Sequence, residues 1–349
     1  MTKTINSRNV HEAFILGVDA FTWDGDVQEQ DSRAGATLEF DGPVVTTYEK
    51  PCERVLFWEG RDANPFFHFM EGLWMLQGRE DVEFLTHYNK GMEAFSDNGF
   101  TLNGAYGYRW REFYEKDQLD VVVKRLRNNP DDRRCVVAMW ECNNDLDRDT
   151  LDTPCNTHIY FKVRNNRLNM TVCCRSNDMI WGAYGANAVH FSMLQEYMAA
   201  RIGVEVGVYN QVSDSFHVYT ELFNSMKEKL PEFDYYTFKY PMVGNPYKTI
   251  SVFPMVSDPE EFDGDLDAFF RGQKNGFANH FFSDVAIPMQ TAWDMHKLDK
   301  NTRGAISLLN SFCKAEDWKI ACVEWLERRL KGREEVKDTE AVIGETNVK

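Results

Sequence analysis

Cys155 follows Pro154, precedes the polar pair Asn156-Thr157, and stands upstream of an alternating segment that ends in Arg175-Ser176. A thiol so placed is a candidate nucleophile, because the thiolate is the reactive form and a guanidinium nearby lowers its pKa; Arg175 is the natural source of that cation. The competing reading is an apolar filler, the commoner fate of a lone cysteine. Between the two, Asn165-Asn166 tolerates the left-handed backbone of a tight turn. Leu168, Met170 and Val172 alternate with Asn169, Thr171 and Cys173, the period of a half-buried strand. The pattern predicts a hairpin with Cys155 at the start of one strand and Arg175-Ser176 at the end of its neighbour.

Other polar residues stand where chemistry is possible. Residues 65–77 predict a helix, with Pro65 in its first turn and Gly78 as its stop. Inside it Glu71 sits among Phe67, Met70, Leu73 and Trp74, as a general acid/base or as a carboxylate turned to solvent. Asn187 opens a second predicted helix, residues 188–200, either as its cap or as an amide that reads a ligand. His217 and Tyr219, two apart on a predicted strand, face the same side. Arg33 lies in a predicted mobile loop, where its fork suits a phosphate. Arg133-Arg134 precede the apolar run CVVAMW, and pairing with Asp131-Asp132 is the simpler reading of them.

The chain has 349 residues, 43% of them hydrophobic and 14% aromatic, enough for a large core. A net charge of −16 opposes general binding to nucleic acid or to an anionic membrane surface. An anionic small substrate must therefore be held by local arginines. Eight cysteines without C-x-x-C spacing indicate neither a zinc ribbon nor a disulfide framework. With no apolar leader and no run long enough to span a bilayer, a reducing cytoplasm is the expected compartment.

Taken together, Pro154-Cys155, Arg175-Ser176-x-Asp178, Gly182, Asn187, His217-x-Tyr219 and the segment Gly104-Ala-Tyr106-Gly107-Tyr-Arg-Trp110-Arg111 resemble the thymidylate synthase family. That family includes the deoxypyrimidine-monophosphate hydroxymethylases of bacteriophages, and the similarity runs from about Arg33 to Tyr219. The resemblance implies an α+β fold with a mixed sheet at a dimer interface, covered by helices. It implies catalytic roles for Cys155, Glu71, Tyr106, Asp178 and Asn187. It places Arg33, Arg175, Ser176, Asn187, His217 and Tyr219 on the nucleotide, with Arg133 and Arg134 reaching the phosphate in the partner's site. 5,10-Methylenetetrahydrofolate is the implied cofactor, held by Asp178 with Met92 and Phe95. The expected layout is a catalytic domain over 1–245, a mainly helical extension over 246–331 and a flexible tail over 332–349.

Departures from the synthases point to the product. The tryptophans that line their folate site are missing between Trp74 and Trp110, Asn156 stands where they commonly have His, and the apolar closing tail is absent, with Phe281–Pro288 as its candidate replacement. Asn187 suits uracil, whereas the cytosine-specific hydroxymethylases carry Asp. The reading is a dUMP hydroxymethylase. The alternatives are a thymidylate synthase, a dCMP hydroxymethylase and a catalytically inactive dimeric binding protein.

Overall fold

The computed structural model describes residues 1–33, 35–230 and 245–346. Eight strands form one mixed sheet: β1 (Lys3–Ser7), β2 (Val27–Ser32), β3 (Gly35–Phe40), β4 (Val44–Tyr48), β5 (Val136–Ala138), β6 (Asn156–Arg164), β7 (Arg167–Asp178) and β8 (Glu205–Tyr219). Their order is β1-β4-β8-β7-β6-β5, and β3, carrying β2 as a hairpin, adds to the far end of β8. β7 runs parallel to β8 and antiparallel to β6. Asn165 and Asn166, at φ 53° and 58°, make the predicted β6–β7 turn, the left-handed pair that matches the twist of a hairpin.

Alternation gives the sheet two unlike faces. Ile159, Phe161, Met170, Val172 and Tyr209 point into the core, while Tyr160, Thr171, Cys173, Val212 and Val136 form an open face, with Val136 40% and Tyr160 44% exposed. α1 (Val10–Trp23), α4 (Tyr106–Arg111), α5 (Gln118–Asn128) and α7 (Asn187–Ile202) pack on the sheet, α2 (Pro65–Leu76) packs on α7 and α4, α3 (Val82–Tyr88) packs on α2, and the short α6 (Cys142–Asp145) follows β5. α2 begins as its sequence requires, with Pro65 in the first turn and Asn64 accepting the Phe67 N–H. Gly107 lets α4 lie directly on α2, since a Cβ there would come within 2.0 Å of the Met75 carbonyl oxygen.

After α8 (Thr220–Lys227) come α9 (Phe262–Phe270), α10 (Ile287–Lys297), α11 (Thr302–Phe312) and α12 (Glu316–Thr346). These helices extend the same core: Phe66 and Phe69 of α2 meet Trp325 and Trp318 of α12 at ring separations of 5.8 and 5.0 Å. Two expectations change here. Phe281 and Phe282, candidates to close over the site, are buried instead against Phe69 and against Phe262, Phe269 and Phe277. Their apolar surface is spent on anchoring the C-terminal helices. The polar stretch from residue 332, expected as a flexible tail, continues α12 as far as Thr346, in keeping with the helix propensity of its Glu, Lys and Arg residues. Residues 347–349 lie outside the described residues. Among the described residues no helix is long and apolar enough to cross a membrane.

Candidate active site

The start of β6 and the ends of β7 and β8 come together and line a cleft of about 670 Å³, with Cys155, Arg175, Ser176, Ser215, His217 and Tyr219 on its walls. Arg33, at the β2–β3 tip, and Phe95, in the turn after α3, reach the same cleft. Cys155 sits one residue before β6, fixed from several sides. The Tyr106 hydroxyl accepts the N–H groups of Cys155 and Asn156, and the Cys155 carbonyl accepts the Arg175 N–H at 2.8 Å. The loop that leads to it is tied down where Asp152 accepts the Gly104 N–H at 2.8 Å.

The guanidinium of Arg175 donates to the Pro154 and Thr153 carbonyls and comes within 3.9 Å of Cys155 Sγ. It pulls the thiol's pKa down, as the sequence suggests. Burial outweighs it: the Cys155 thiol is held above its ordinary value, with Asp152 adding to the rise and Arg33 opposing it.

Asp178 ends β7 and caps the π-helical turn Met179–Ala186 by accepting the Trp181 N–H. Burial holds its carboxyl above the usual carboxylate range, against the Trp181 amide, His217 and Arg61. Its Oδ2 is buried without a hydrogen-bond partner. Beside it Trp181 is 55% exposed and rests on the Arg61 guanidinium, 4.7 Å from the ring centroid. Asn187, the first residue of α7, does not cap its own helix: its side chain bonds Asn156 and Asn177.

Glu71 lies outside the cleft walls, on α2. Its Oε2 faces His190 Nε2 of α7 at 3.1 Å, an ion-pair spacing without the angle of a good hydrogen bond. His190 in turn meets His68 edge-on at 6.4 Å, and burial holds His68 well below the usual histidine range. Glu71 thus borders the buried imidazole of His190, with the half-buried His68 beyond it, an arrangement that can relay a proton.

Arg133 and Arg134 do not join this cleft. Both are exposed, and Arg134 pairs with Asp132. Met92 is half-buried against the core and is not part of the cleft wall. Sequence reasoning missed Trp140, which lines the cleft and lies under Arg175 at 5.5 Å. It also missed Trp181, His190 and Asn177. Trp181 was legible as an indole three residues from Asp178.

The thymidylate synthase family model matches residues 65–248. A protein of Pseudomonas phage M6 named deoxyuridylate hydroxymethyltransferase is 45% identical over 342 residues, 94% of each chain, so that similarity continues through the C-terminal helices. One of the same name from Bacillus phage SP01 is 42% identical over 191 residues, 51% of this chain and 50% of that one. A putative thymidylate synthase of Methanothermobacter marburgensis is 36% identical over 233 residues, 65% of this chain and 98% of that one.

Proposed function

The chain belongs to the thymidylate synthase family, and from that premise we propose that it converts dUMP to 5-hydroxymethyl-dUMP. The supporting observation is the convergence of Cys155 with Arg33, Arg175, Ser176, His217 and Tyr219 on one cleft, in a chain alike over 94% of its length to a phage deoxyuridylate hydroxymethyltransferase.

The arginines and Ser176 hold the phosphate, and His217 and Tyr219 hold the deoxyribose. Cys155 Sγ then adds to C6 of the ring, which turns C5 into an enolate-like nucleophile. Asn187 reads the ring edge. 5,10-Methylenetetrahydrofolate, when bound, supplies the one-carbon unit to C5. The residues fit such a donor: the orphaned Oδ2 of Asp178 is an acceptor for ring N–H groups, and Trp181 beside it presents an exposed face for a planar ring. Glu71 with His190 moves protons at C5 and at the water. Loss of the C5 proton and cleavage of the C–N bond, with tetrahydrofolate as the leaving group, leave an exocyclic methylene on the ring. Water attacks its carbon and loses a proton, the new C–O bond forms, and departure of the Cys155 thiolate from C6 restores the C5–C6 double bond.

A second copy completes the assembly in this proposal. The open sheet face, with Val136 and Tyr160 exposed, is the surface it covers, bringing Arg133 and Arg134 to the partner's phosphate.

Mass spectrometry of products from dUMP, and separately dCMP, with methylenetetrahydrofolate tests the reading. Hydroxymethyl-dUMP without dihydrofolate is expected. Formation of dTMP with an equal amount of dihydrofolate would make the protein a thymidylate synthase, and turnover of dCMP alone would move it to the cytosine branch.

A further inference from the structure

Three asparagines from three elements form a head-to-tail relay. Asn156 Nδ2 (β6) donates to Asn187 Oδ1 (α7) at 3.2 Å, Asn187 Nδ2 donates to Asn177 Oδ1 (β7) at 3.1 Å, and Asn177 Nδ2 donates to Ser213 Oγ (β8) at 2.8 Å. All four side chains are buried, Asn187 most exposed at 8%. We propose that Asn156 and Asn177 are positioning residues that fix which way the Asn187 amide points, and through it the preference for uracil over cytosine; this rests on the dUMP reading above.

An asparagine amide is nearly symmetric in shape, so only its hydrogen bonds distinguish its two orientations. Turning Asn187 alone sets its amino group against that of Asn156 and its oxygen against that of Asn177. Both bonds are lost and like dipoles meet in a buried site, where unmet polar groups are costly. Turning all three together keeps every bond, with Ser213 then donating. It leaves the Asn156 amino group, with two N–H donors, in the place where Oδ1 now lies buried without a partner. A carbonyl tolerates that isolation better than an amino group. The present direction is therefore the favoured one, and Asn187 cannot reverse without its neighbours.

Gly182 supports this reading. A Cβ there would lie 2.6 Å from Asn177 Oδ1 and 3.3 Å from Asn187 Nδ2, so the glycine leaves room for the central joint of the relay.

Uracil offers an acceptor at O4 beside the N3–H donor; cytosine offers an amino donor beside a bare N3. An amide locked in one direction serves the first pattern and opposes the second. A freely turning amide serves both.

The test compares wild type with Asn177→Leu, Asn177→Asp and Asn156→Leu. Binding of dUMP and of dCMP is measured by calorimetry and kcat/KM for each by product analysis. Asn177→Leu removes the acceptor that holds the Asn187 amino group, and the dUMP:dCMP preference should fall about tenfold or more, the worth of one hydrogen bond. Asn156→Leu removes the other anchor and carries the same expectation if the first variant does not fold. Asn177→Asp keeps an acceptor for Asn187 Nδ2, can itself accept from Ser213, and should retain the preference. An unchanged preference in the folded leucine variants, or an equal loss in Asn177→Asp, overturns the relay while leaving the dUMP reading intact. A wild type that binds neither nucleotide removes that reading, and the relay with it.

Discussion

The Tyr106 hydroxyl stands between two successive backbone N–H groups, those of Cys155 and Asn156, and accepts them at 3.1 and 3.0 Å. Tyr106 starts α4, which Gly107 seats on α2, so the nucleophile's backbone is referenced to the helix that carries Glu71. Tyr106→Phe should leave both N–H groups without their acceptor. The expected cost is about 1–3 kcal/mol of stability and roughly ten- to a hundredfold in kcat through misplacement of Sγ. Denaturant melts and steady-state rates measure both; a variant with wild-type kcat would show that the hydroxyl does not position the thiol.

The Cys155 thiol titrates above the ordinary cysteine value because burial outweighs Arg175. Alkylation by iodoacetamide follows the thiolate fraction, so in the free protein its rate at Cys155 should still be climbing past the ordinary thiol pKa. Arg175→Leu removes the largest opposing influence and should shift the profile to higher pH. Asp152→Asn removes an anion and should shift it to lower pH. Peptide-level mass spectrometry separates Cys155 from the exposed Cys142. Identical profiles for the three proteins would contradict this balance of charges.

Much of this site was legible where the chain makes local contacts. Asn165-Asn166 and the alternation after them specify the β6–β7 hairpin, and Trp318, Cys322, Trp325 and Leu326 recur on the buried face of α12. Contacts across elements were not legible. Nothing in the local sequence of Asn177 shows that its amide meets the Asn187 amide of α7 and the Ser213 hydroxyl of β8. Phe281-Phe282 were read as a closing segment because bulk and hydrophobicity say that a residue will be covered without saying by what. The sign of the Cys155 shift was missed for a related reason: a nearby arginine can be read from spacing, whereas the depth of burial that opposes it depends on the whole fold.

Asp317, in the first turn of α12, joins the C-terminal helices to the core by accepting from the Tyr247 hydroxyl at 3.0 Å. Burial raises its pKa to about 6, against the Trp318 N–H, Tyr247 and Arg54. The folded protein therefore holds this proton between the unfolded value of about 3.9 and about 6. Folding binds the extra proton, so the stability it contributes is full below pH 4, declines as pH rises to 6 and is absent above. Asp317→Asn removes this dependence. Melting temperatures of the two proteins should diverge from pH 4 to 6 in favour of the asparagine, by up to about 3 kcal/mol of relative stability, and then run parallel. Parallel curves throughout would place the proton elsewhere.

The proposed dimer makes a prediction that neither protomer can satisfy alone. Arg134 is 79% exposed at its side chain and lies outside its own chain's cleft, whereas Cys155 lines it. If Arg134 serves the partner's site, Cys155→Ala and Arg134→Ala damage different halves of one composite centre. Each purified variant should be inactive or nearly so. When the two are unfolded together at equal concentration and refolded, half of the dimers are mixed. Each mixed dimer has one site with Cys155 from one chain and Arg134 from the other, so about a quarter of wild-type activity should return. Tyr160→Glu, which sets a charge on the open sheet face, should lower both the dimer fraction in sedimentation and this recovered activity. Recovery that stays at zero in refolded mixtures shown to contain mixed dimers would assign Arg134 to its own surface pairing with Asp132, the simpler of the two readings that its sequence allows.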